Sequence, residues 1–417
     1  MTIRADRAAM RDLPQPALPW ILRRLNARAE QAAGPGGYRA ALEPAEILRA
    51  VDERLGWSAS MPARVHAALE RMCASLREDS NLHHYGASYI RNLIVSSLVV
   101  RARLDRRFDE QPELERTELI PPLIIVGLQR SGTTLLHRMM AEAEDAREVP
   151  LWELLDPVPP VRGPDLRAVK MAATFYAFRF AAPAGIDAMH YMRPHLADEC
   201  QFMLRLDLRA AVFWTAVASF GYADWLLAED QVETYRLYRR LLQLLQHGSP
   251  GRRLTLKNPA HTLALGALLD AVPEALVVQT HRTPLETLPS QCLLTLIAQT
   301  AMTRGVDPAR VVETVARMQL AMATRSVEAR ETEAGRAIVD VDYAALVRDP
   351  VATVVDVRAR FGLDSSAGLR ERLRAHLAAN AQHGRGRYRY DLQQFGLDPA
   401  EVRDAFAAYV ERFLDAS

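Results

Sequence analysis

Residues 122–134 read Pro-Leu-Ile-Ile-Val-Gly-Leu-Gln-Arg-Ser-Gly-Thr-Thr, and no other stretch of the chain constrains its fold as tightly. The apolar run after proline is a buried strand. It empties into Gly127-Leu128-Gln129-Arg130-Ser131-Gly132-Thr133-Thr134, and Leu135-Leu136-His137-Arg138-Met139-Met140 then starts an apolar helix. Strand, glycine loop and helix N-terminus in that order form a cradle. Backbone N–H groups converge there on an anion, and the helix dipole favours negative charge. The Gly-x4-Gly spacing is that of a P-loop, but Thr133 stands where a nucleotide triphosphatase carries the lysine that reaches the β- and γ-phosphates. That lysine supplies charge needed to split them. The loop is therefore expected to hold a phosphate-like group other than the end of ATP. Glycine turns of this kind also arise from packing alone, so the reading needs a second site at a suitable distance.

Leu276-Val277-Val278-Gln279-Thr280 provides a second short buried strand, followed by His281-Arg282-Thr283-Pro284 and by Ser290, eight residues beyond Arg282. An arginine fork grips phosphate through two parallel charge-assisted bonds, and a helix-borne hydroxyl adds a neutral donor. Taken with Arg130-Ser131-Gly132-Thr133-Thr134-Leu135, the chain resembles sulfotransferases that use 3′-phosphoadenosine 5′-phosphosulfate (PAPS). The loop is similar to that family's 5′-phosphosulfate loop, and Arg282 with Ser290 match the positions that bind the 3′-phosphate. Three further segments extend the resemblance over roughly residues 120–415. Leu254-Thr255-Leu256-Lys257-Asn258-Pro259 ends a strand in Lys-x-Pro, as in the tyrosylprotein branch, where the lysine touches the transferring sulfuryl group. The segment 341–350 looks like the strand-tyrosine-helix element whose tyrosine, here Tyr343, lies by the adenosine. The segment 383–390 with Arg385 and Arg389, followed by Phe395-Gly396-Leu397, resembles the basic C-terminal loop that closes over the nucleotide. The bacterial, tyrosylprotein-like side of the family is the nearer one.

The resemblance implies transfer of a sulfuryl group from PAPS to a hydroxyl, with 3′,5′-bisphosphoadenosine as the other product. Arg130, Ser131, Gly132, Thr133, Thr134, Arg282, Ser290, Tyr343, Arg385 and Arg389 would bind the nucleotide. Lys257 and Arg130 would stabilise charge on the transferring group, chemistry that rests on positioning and electrostatics. No metal is implied, and no carboxylate cluster suited to Mg²⁺ is evident. Relatives use a glutamate about twenty residues after the loop arginine as base; Glu153 lies 23 residues after Arg130 and beside Trp152, whose bulk would desolvate it. Asp198 and Glu199, expected on a helix facing the acceptor, and His261 are rivals. His137 is expected to pack behind the loop, while Asp340 and Asp342 read as flanking, solvated carboxylates. Two other readings remain at this point: a P-loop kinase or NTPase, which lacks its lysine and metal carboxylates here, and an idle nucleotide-binding module.

The architecture expected is α/β, a P-loop-type parallel sheet flanked by helices over 120–417, preceded by a helical region over 1–115. In the latter, apolar Ile47, Leu48, Val51 and Leu55 share a face of a helix from Pro44, and a long helix runs from roughly Tyr85 to Arg107. The basic residues are nearly all arginine, the exceptions being Lys170 and Lys257, which makes lysine at a strand end the more informative. A net charge of +1 argues against nucleic acid as a partner. Three cysteines without Cys-x-x-Cys spacing read as thiols in a reducing compartment. The chain opens without the apolar core of a signal peptide and has no run of ~20 apolar residues to span a bilayer, so the cytoplasm is expected, without stable membrane insertion. A homo-oligomer is compatible with the sequence. Between 160 and 250, Met171, Phe175, Tyr176, Phe178, Phe180, Met189, Tyr191, Met192, Phe202, Met203, Phe213, Trp214, Phe220, Tyr222 and Trp225 fit either helical core or an apolar acceptor pocket. Together they favour a small hydrophobic or lipid-like hydroxyl acceptor.

Overall fold

The structure is a computed structural model and describes residues 3–10, 18–34, 36–181, 191–380 and 391–415. Five strands, β1 (Leu123–Gly127), β2 (Ala146–Glu148), β3 (Arg253–Lys257), β4 (Leu276–His281) and β5 (Val339–Asp342), form one sheet in the order β2-β3-β1-β4-β5. Every pairing is parallel, so the C-terminal strand ends open on one edge. The chain leaves β1 towards β3 and β2 and crosses back for β4 and β5. The strand order reverses at β1, where a doubly wound sheet forms its ligand crevice. Register sets what meets there: Gly127 lies opposite Thr280, and Ile125 opposite Lys257.

β1 is buried along its length, which is why its sequence is continuously apolar. Its side chains alternate between two hydrophobic clusters, Ile124 and Val126 on one face, Leu123 and Ile125 on the other. The cluster holding Ile124 and Val126 also contains buried residues from the helices ahead of the sheet, Ile47, Leu69 and Ile94 among them, and the C-terminal Phe406 and Tyr409.

The helices used below are numbered in chain order. Ahead of the sheet stand α1 (Trp20–Ala33), α2 (Pro44–Leu55), α3 (Ala63–Glu78) and α4 (His84–Glu110). α2 has the expected bounds because Pro44 opens it and Gly56, at φ 73° in the left-handed region, returns its N–H to Asp52. Inside and after the sheet come α5 (Thr133–Met140), α6 (Leu151–Leu155), α7 (Arg167–Ala181), α8 (Val212–Ala216), α9 (Val232–His247), α10 (Pro284–Met302), α11 (Tyr343–Arg348) and α12 (Ala407–Phe413). A fully buried carboxylate, Asp207, pins the N-terminal helices to this body. It accepts from Arg64 on α3 and from Arg101 on α4 at 3.0 Å, with Thr234 at 2.7 Å. Removing one partner of such a buried ionic cluster leaves uncompensated charge, which costs roughly 3–5 kcal/mol. Among the described residues no helix is long and apolar enough to cross a membrane.

Candidate active site

The loop after β1 is built around two glycines that nothing larger could replace. Gly127 has φ 143°, and a Cβ there would stand 2.5 Å from the carbonyl oxygen of Thr280; at Gly132, φ 93°, it would stand 2.7 Å from the Tyr343 ring. Arg130 between them is also left-handed, at φ 72°. Ser131 braces the turn from inside: its hydroxyl donates to Leu128 O at 2.6 Å and lies 2.7 Å from Thr280 Oγ1 on β4. Its side chain therefore points into the protein, and only its backbone remains on the cradle side. Gly132 caps α5 without a side-chain acceptor. The first-turn N–H groups at Thr133 and Thr134 are thus left for a ligand.

The second candidate phosphate site arrives from β4. Arg282 donates to the carbonyl of Arg130 at 3.1 Å, and Arg130 Nε donates to Ser290 Oγ at 3.0 Å. Motifs some 150 residues apart are thereby joined around one edge of the sheet. Arg282 lies over the Tyr343 ring, 4.1 Å from its centroid, with Glu286 at 2.7 Å from its Nε. Its neighbour His281 is locked by three contacts: Asp340 at 2.6 Å, Tyr409 Oη at 2.9 Å and a stacked Phe413 at 4.3 Å. Burial pushes the His281 imidazole below its usual range, opposed by the hydrogen bond to Asp340. Asp340 also takes Arg330, and Asp342 caps α11 by accepting from Ala345 N–H at 2.8 Å. Asp340 stays partly solvated, as expected of a flanking carboxylate, and both residues serve as structural anchors.

At the end of β3, Lys257 is only 2% exposed and its Nζ lies 3.0 Å from Glu199 Oε1. Glu199 also accepts from Gln201. The turn carrying it is bound to the strand, because Cys200 N–H donates to Lys257 O at 2.9 Å. Residues 195–200 are an irregular turn-containing segment, bridged at Ala197 to Pro150, ahead of a short helix, Gln201–Leu204; a helix is the sequence expectation there. A buried polar chain stands behind this turn. Cys200 Sγ is 3.2 Å from His261 Nε2, Tyr238 Oη donates to Cys200 at 3.2 Å, and Tyr235 Oη is 2.8 Å from His261 Nδ1. Burial lowers His261 to about 3 and raises the Cys200 thiol to about 12, so both are neutral. His261 is thus part of the packed interior.

Residues 121–367, more than half of the chain, match the Sulfotransferase family. The chain belongs to this family. A sulfotransferase is an enzyme, and membership implies PAPS as the sulfuryl donor; it sets aside the P-loop kinase. The chain is 25% identical over 300 residues to the omega-hydroxy-beta-dihydromenaquinone-9 sulfotransferase Stf3 of Mycobacterium bovis, an alignment covering 66% of this chain and 71% of that one. Among solved structures it is similar to sulfotransferase STF1 of Mycobacterium tuberculosis, with 27% identity, TM-score 0.75, and 87% of this chain against 98% of that one. It shares its fold with sulfotransferase STF9 of Mycobacterium avium, with 22% identity, TM-score 0.80, and 89% against 96% coverage.

In this sulfotransferase one cavity of about 1130 Å³ joins the elements described so far. That exceeds the ~300–1,000 Å³ of a single small-ligand pocket, and its lining falls into two halves. One half is lined by Arg130, Gly132, Thr133, Thr134, Arg282 and Tyr343, the residues that the sequence resemblance assigns to the nucleotide. The close fit of Tyr343 over Gly132 and the unsatisfied first turn of α5 suit a nucleotide there. The other half is mostly apolar and includes Met171, Phe175, Met192 and Phe202; Met203, Phe213, Trp214, Phe220 and Tyr222 are buried in the core. Glu199 lines the cavity with Lys257 directly behind it.

Glu153, expected to face the acceptor, is placed elsewhere. Arg147 on β2 holds both of its oxygens, at 2.8 and 2.9 Å, and it does not line the cavity. His137 is buried behind the loop, as expected, 3.0 Å from Thr255 O, and burial lowers it to about 4. Arg385 and Arg389 lie outside the described residues, as do Met189 and the side chains of Phe178 and Phe180. Among the described residues no group of three or more His, Cys, Asp or Glu is placed to hold a metal ion. The contribution of α4 to the cavity was not anticipated from the sequence, although serines and asparagine at helical spacing inside an apolar helix are a signal of it.

Proposed function

We propose that this chain transfers the sulfuryl group of PAPS to a hydroxyl of a small, mostly apolar acceptor, with Glu199 as the base. The observation that carries the reading is that both anion sites and Glu199 open on one cavity. The α5 first turn with Thr133 and Thr134 holds the 5′ end of the nucleotide. Arg282, Ser290 and Arg130 hold the 3′-phosphate, with Tyr343 flanking the adenosine. Arg385 and Arg389 are assigned to closing over the nucleotide from the resemblance alone. When bound, PAPS supplies an activated sulfuryl group. Glu199 takes the proton of the acceptor hydroxyl, and Lys257, 3.0 Å from it, supplies positive charge beside the transferring group. The relative's hydroxylated menaquinone derivative agrees with an acceptor whose body is apolar.

The test is transfer of labelled sulfate from PAPS to a pooled panel of alcohols and phenols. It is coupled to calorimetry with 3′,5′-bisphosphoadenosine and with AMP. Equal affinity for the two nucleotides, or no labelled product from any acceptor, would defeat the proposal.

A further inference from the structure

The N-terminal helices lie outside the segment that matches the family, yet α4 forms a wall of the acceptor half of the cavity. The residues it presents include Tyr85, Tyr89, Leu93, Ser96, Val100 and Arg103. Their spacing of four, four, three, four and three residues is one continuous helical stripe. At the rise of an α-helix it runs about 27 Å. A second stripe comes from α10, with Gln291, Leu294, Thr295, Ala298, Ala301 and Met302, and runs about 16 Å. The two helices meet at one end, where His83 N–H donates to Met302 O at 2.9 Å. Gly86 allows that approach, since a Cβ there would stand 2.1 Å from the same carbonyl. From that end the α10 stripe leads back to Gln291, adjacent in the chain to Ser290 of the nucleotide site. Arg103, the charged member of the α4 stripe, is engaged by Asp156 at 2.8 Å and by Val158 O. Ser88, Asn92, Ser96, Gln291 and Thr295 are polar points on this wall, and the apolar members between them give a ligand apolar contact along its length.

A compact acceptor would leave most of this length filled with water against apolar side chains, an unfavourable arrangement. We propose, resting on the sulfotransferase reading of this site, that the acceptor is an elongated apolar alcohol. It lies along α4 and α10 with its hydroxyl at Glu199. Counted from the end where the helices meet, Ala298 lies about 6 Å along α10 and Ser96 about 17 Å along α4. These small side chains leave room at two depths of the channel and so act as its specificity determinants.

The test uses the full chain and a homologous series of primary alcohols from butanol to hexadecanol, with two readouts. One is displacement of a pyrene-labelled fatty alcohol without PAPS; the other is kcat/KM for labelled sulfate transfer. A buried methylene contributes about 0.8 kcal/mol, so affinity should rise roughly two- to fourfold per added CH2 until the channel is full. In Ala298→Trp and Ser96→Trp the rise should break off at a shorter chain. The ratio of hexadecanol to butanol should then fall at least tenfold in both readouts. Ala298→Leu, a smaller step, should shift the break in the same direction and guards against misfolding of the tryptophan variants. Affinity that ignores chain length in the parent protein overturns the proposal, as does a break that stays put in all three variants. Length-dependent binding without sulfate transfer would leave the channel standing and remove the catalytic reading. Transfer to short polar acceptors with no length dependence would do the reverse.

Discussion

The two ends of the cavity are made by different means. The nucleotide end is assembled from strand termini and the turns that follow them, so its geometry is dictated by a few local rules. A left-handed glycine, a helix start and an arginine one residue past a strand place Gly132, Thr133 and Arg282 almost regardless of what surrounds them. The acceptor end is assembled from helices far apart in the chain, α4, α7, α8 and α10, whose facing side chains meet only when the whole body is packed. The first end is set by local geometry, the second by long-range packing. A fold that keeps one donor and varies its acceptors has this division built in.

The sharpest way to break the contrast is at Glu199, which belongs to the acceptor end by position and to the chemistry by its contact with Lys257. Glu199→Gln is expected to lower kcat by a factor of order 10²–10⁴, the usual range for a positioned base. Nucleotide affinity by calorimetry should stay within a factor of a few. An aliphatic alcohol must be the acceptor, since an acidic phenol needs little help in losing its proton. A variant that keeps half its rate would place the base elsewhere.

Below that comes acid stability, where the two ends should behave alike. His137 lies under the nucleotide loop and His261 behind Glu199; burial lowers them from 6.5 to about 4 and about 3. Their folded pKa values lie below the unfolded one, so the unfolded chain binds more protons in between. Stability is therefore expected to fall as pH drops from about 6.5 towards 4, by roughly 3 kcal/mol for His137 alone. Urea midpoints across that window measure it, and His137→Gln should flatten the slope. A midpoint that does not fall would mean that these imidazoles are charged in the folded protein.

Lys257→Ala is expected to lower kcat by about 10², the scale of one lost electrostatic partner near the reacting group. It also strips Glu199 of its ion pair, so a Lys257→Ala/Glu199→Gln pair should be far from additive. Additive losses would separate the two residues into independent roles. Arg282→Ala should act on the nucleotide end alone. We expect loss of about 2 kcal/mol in binding 3′,5′-bisphosphoadenosine, little change for AMP, and an unchanged break point in the alcohol series. A shift in that break point would show that the two ends are coupled.

How far each end could be read in advance follows the same divide. Arg282 and Ser290 are joined through Arg130, and α5 starts at Thr133, two residues ahead of its apolar run. β1, its glycine loop and β4 follow from local signals, and the structure contains them. So do the bounds of α2, set by Pro44 and Gly56. Glu199 could be named only as one rival among several. Its place depends on Cys200 N–H reaching Lys257 O and on a Tyr-Cys-His chain that joins three distant segments. Nothing periodic in His195-Leu196-Ala197-Asp198-Glu199-Cys200 reports those contacts. The inward turn of Ser131 is hidden for a similar reason, since it is set by Thr280 on a neighbouring strand. Aromatic density between 160 and 250 is visible in the sequence, but which rings face the cavity depends on helix rotation: Phe175 and Phe202 line it, while Phe213, Trp214, Phe220 and Tyr222 are core.

The smallest effect expected is the one that separates local from long-range reading most cleanly. Glu153 has the spacing from Arg130 that the family resemblance assigns to a base, and it follows Trp152 as that reading requires. In the structure a single Arg147 nitrogen, Nη2, forks to both its oxygens, across a contact only six residues long that ties β2 to α6. A carboxylate held this way, and absent from the cavity wall, has no path to an acceptor hydroxyl. Glu153→Gln keeps the size of the side chain and one accepting oxygen, so it weakens the fork without opening a hole. The pair is largely buried, at 15% and 12% side-chain exposure, so its loss should show as about 1 kcal/mol of stability, above the level of an exposed pair. The cost should appear in the urea midpoint, with kcat within a factor of two or three and the pH–rate profile unmoved. Loss of the acidic limb of that profile in Glu153→Gln, with Glu199→Gln still active, would reverse the assignment. It would mean that α6 swings Glu153 into the cavity once the donor and acceptor are bound.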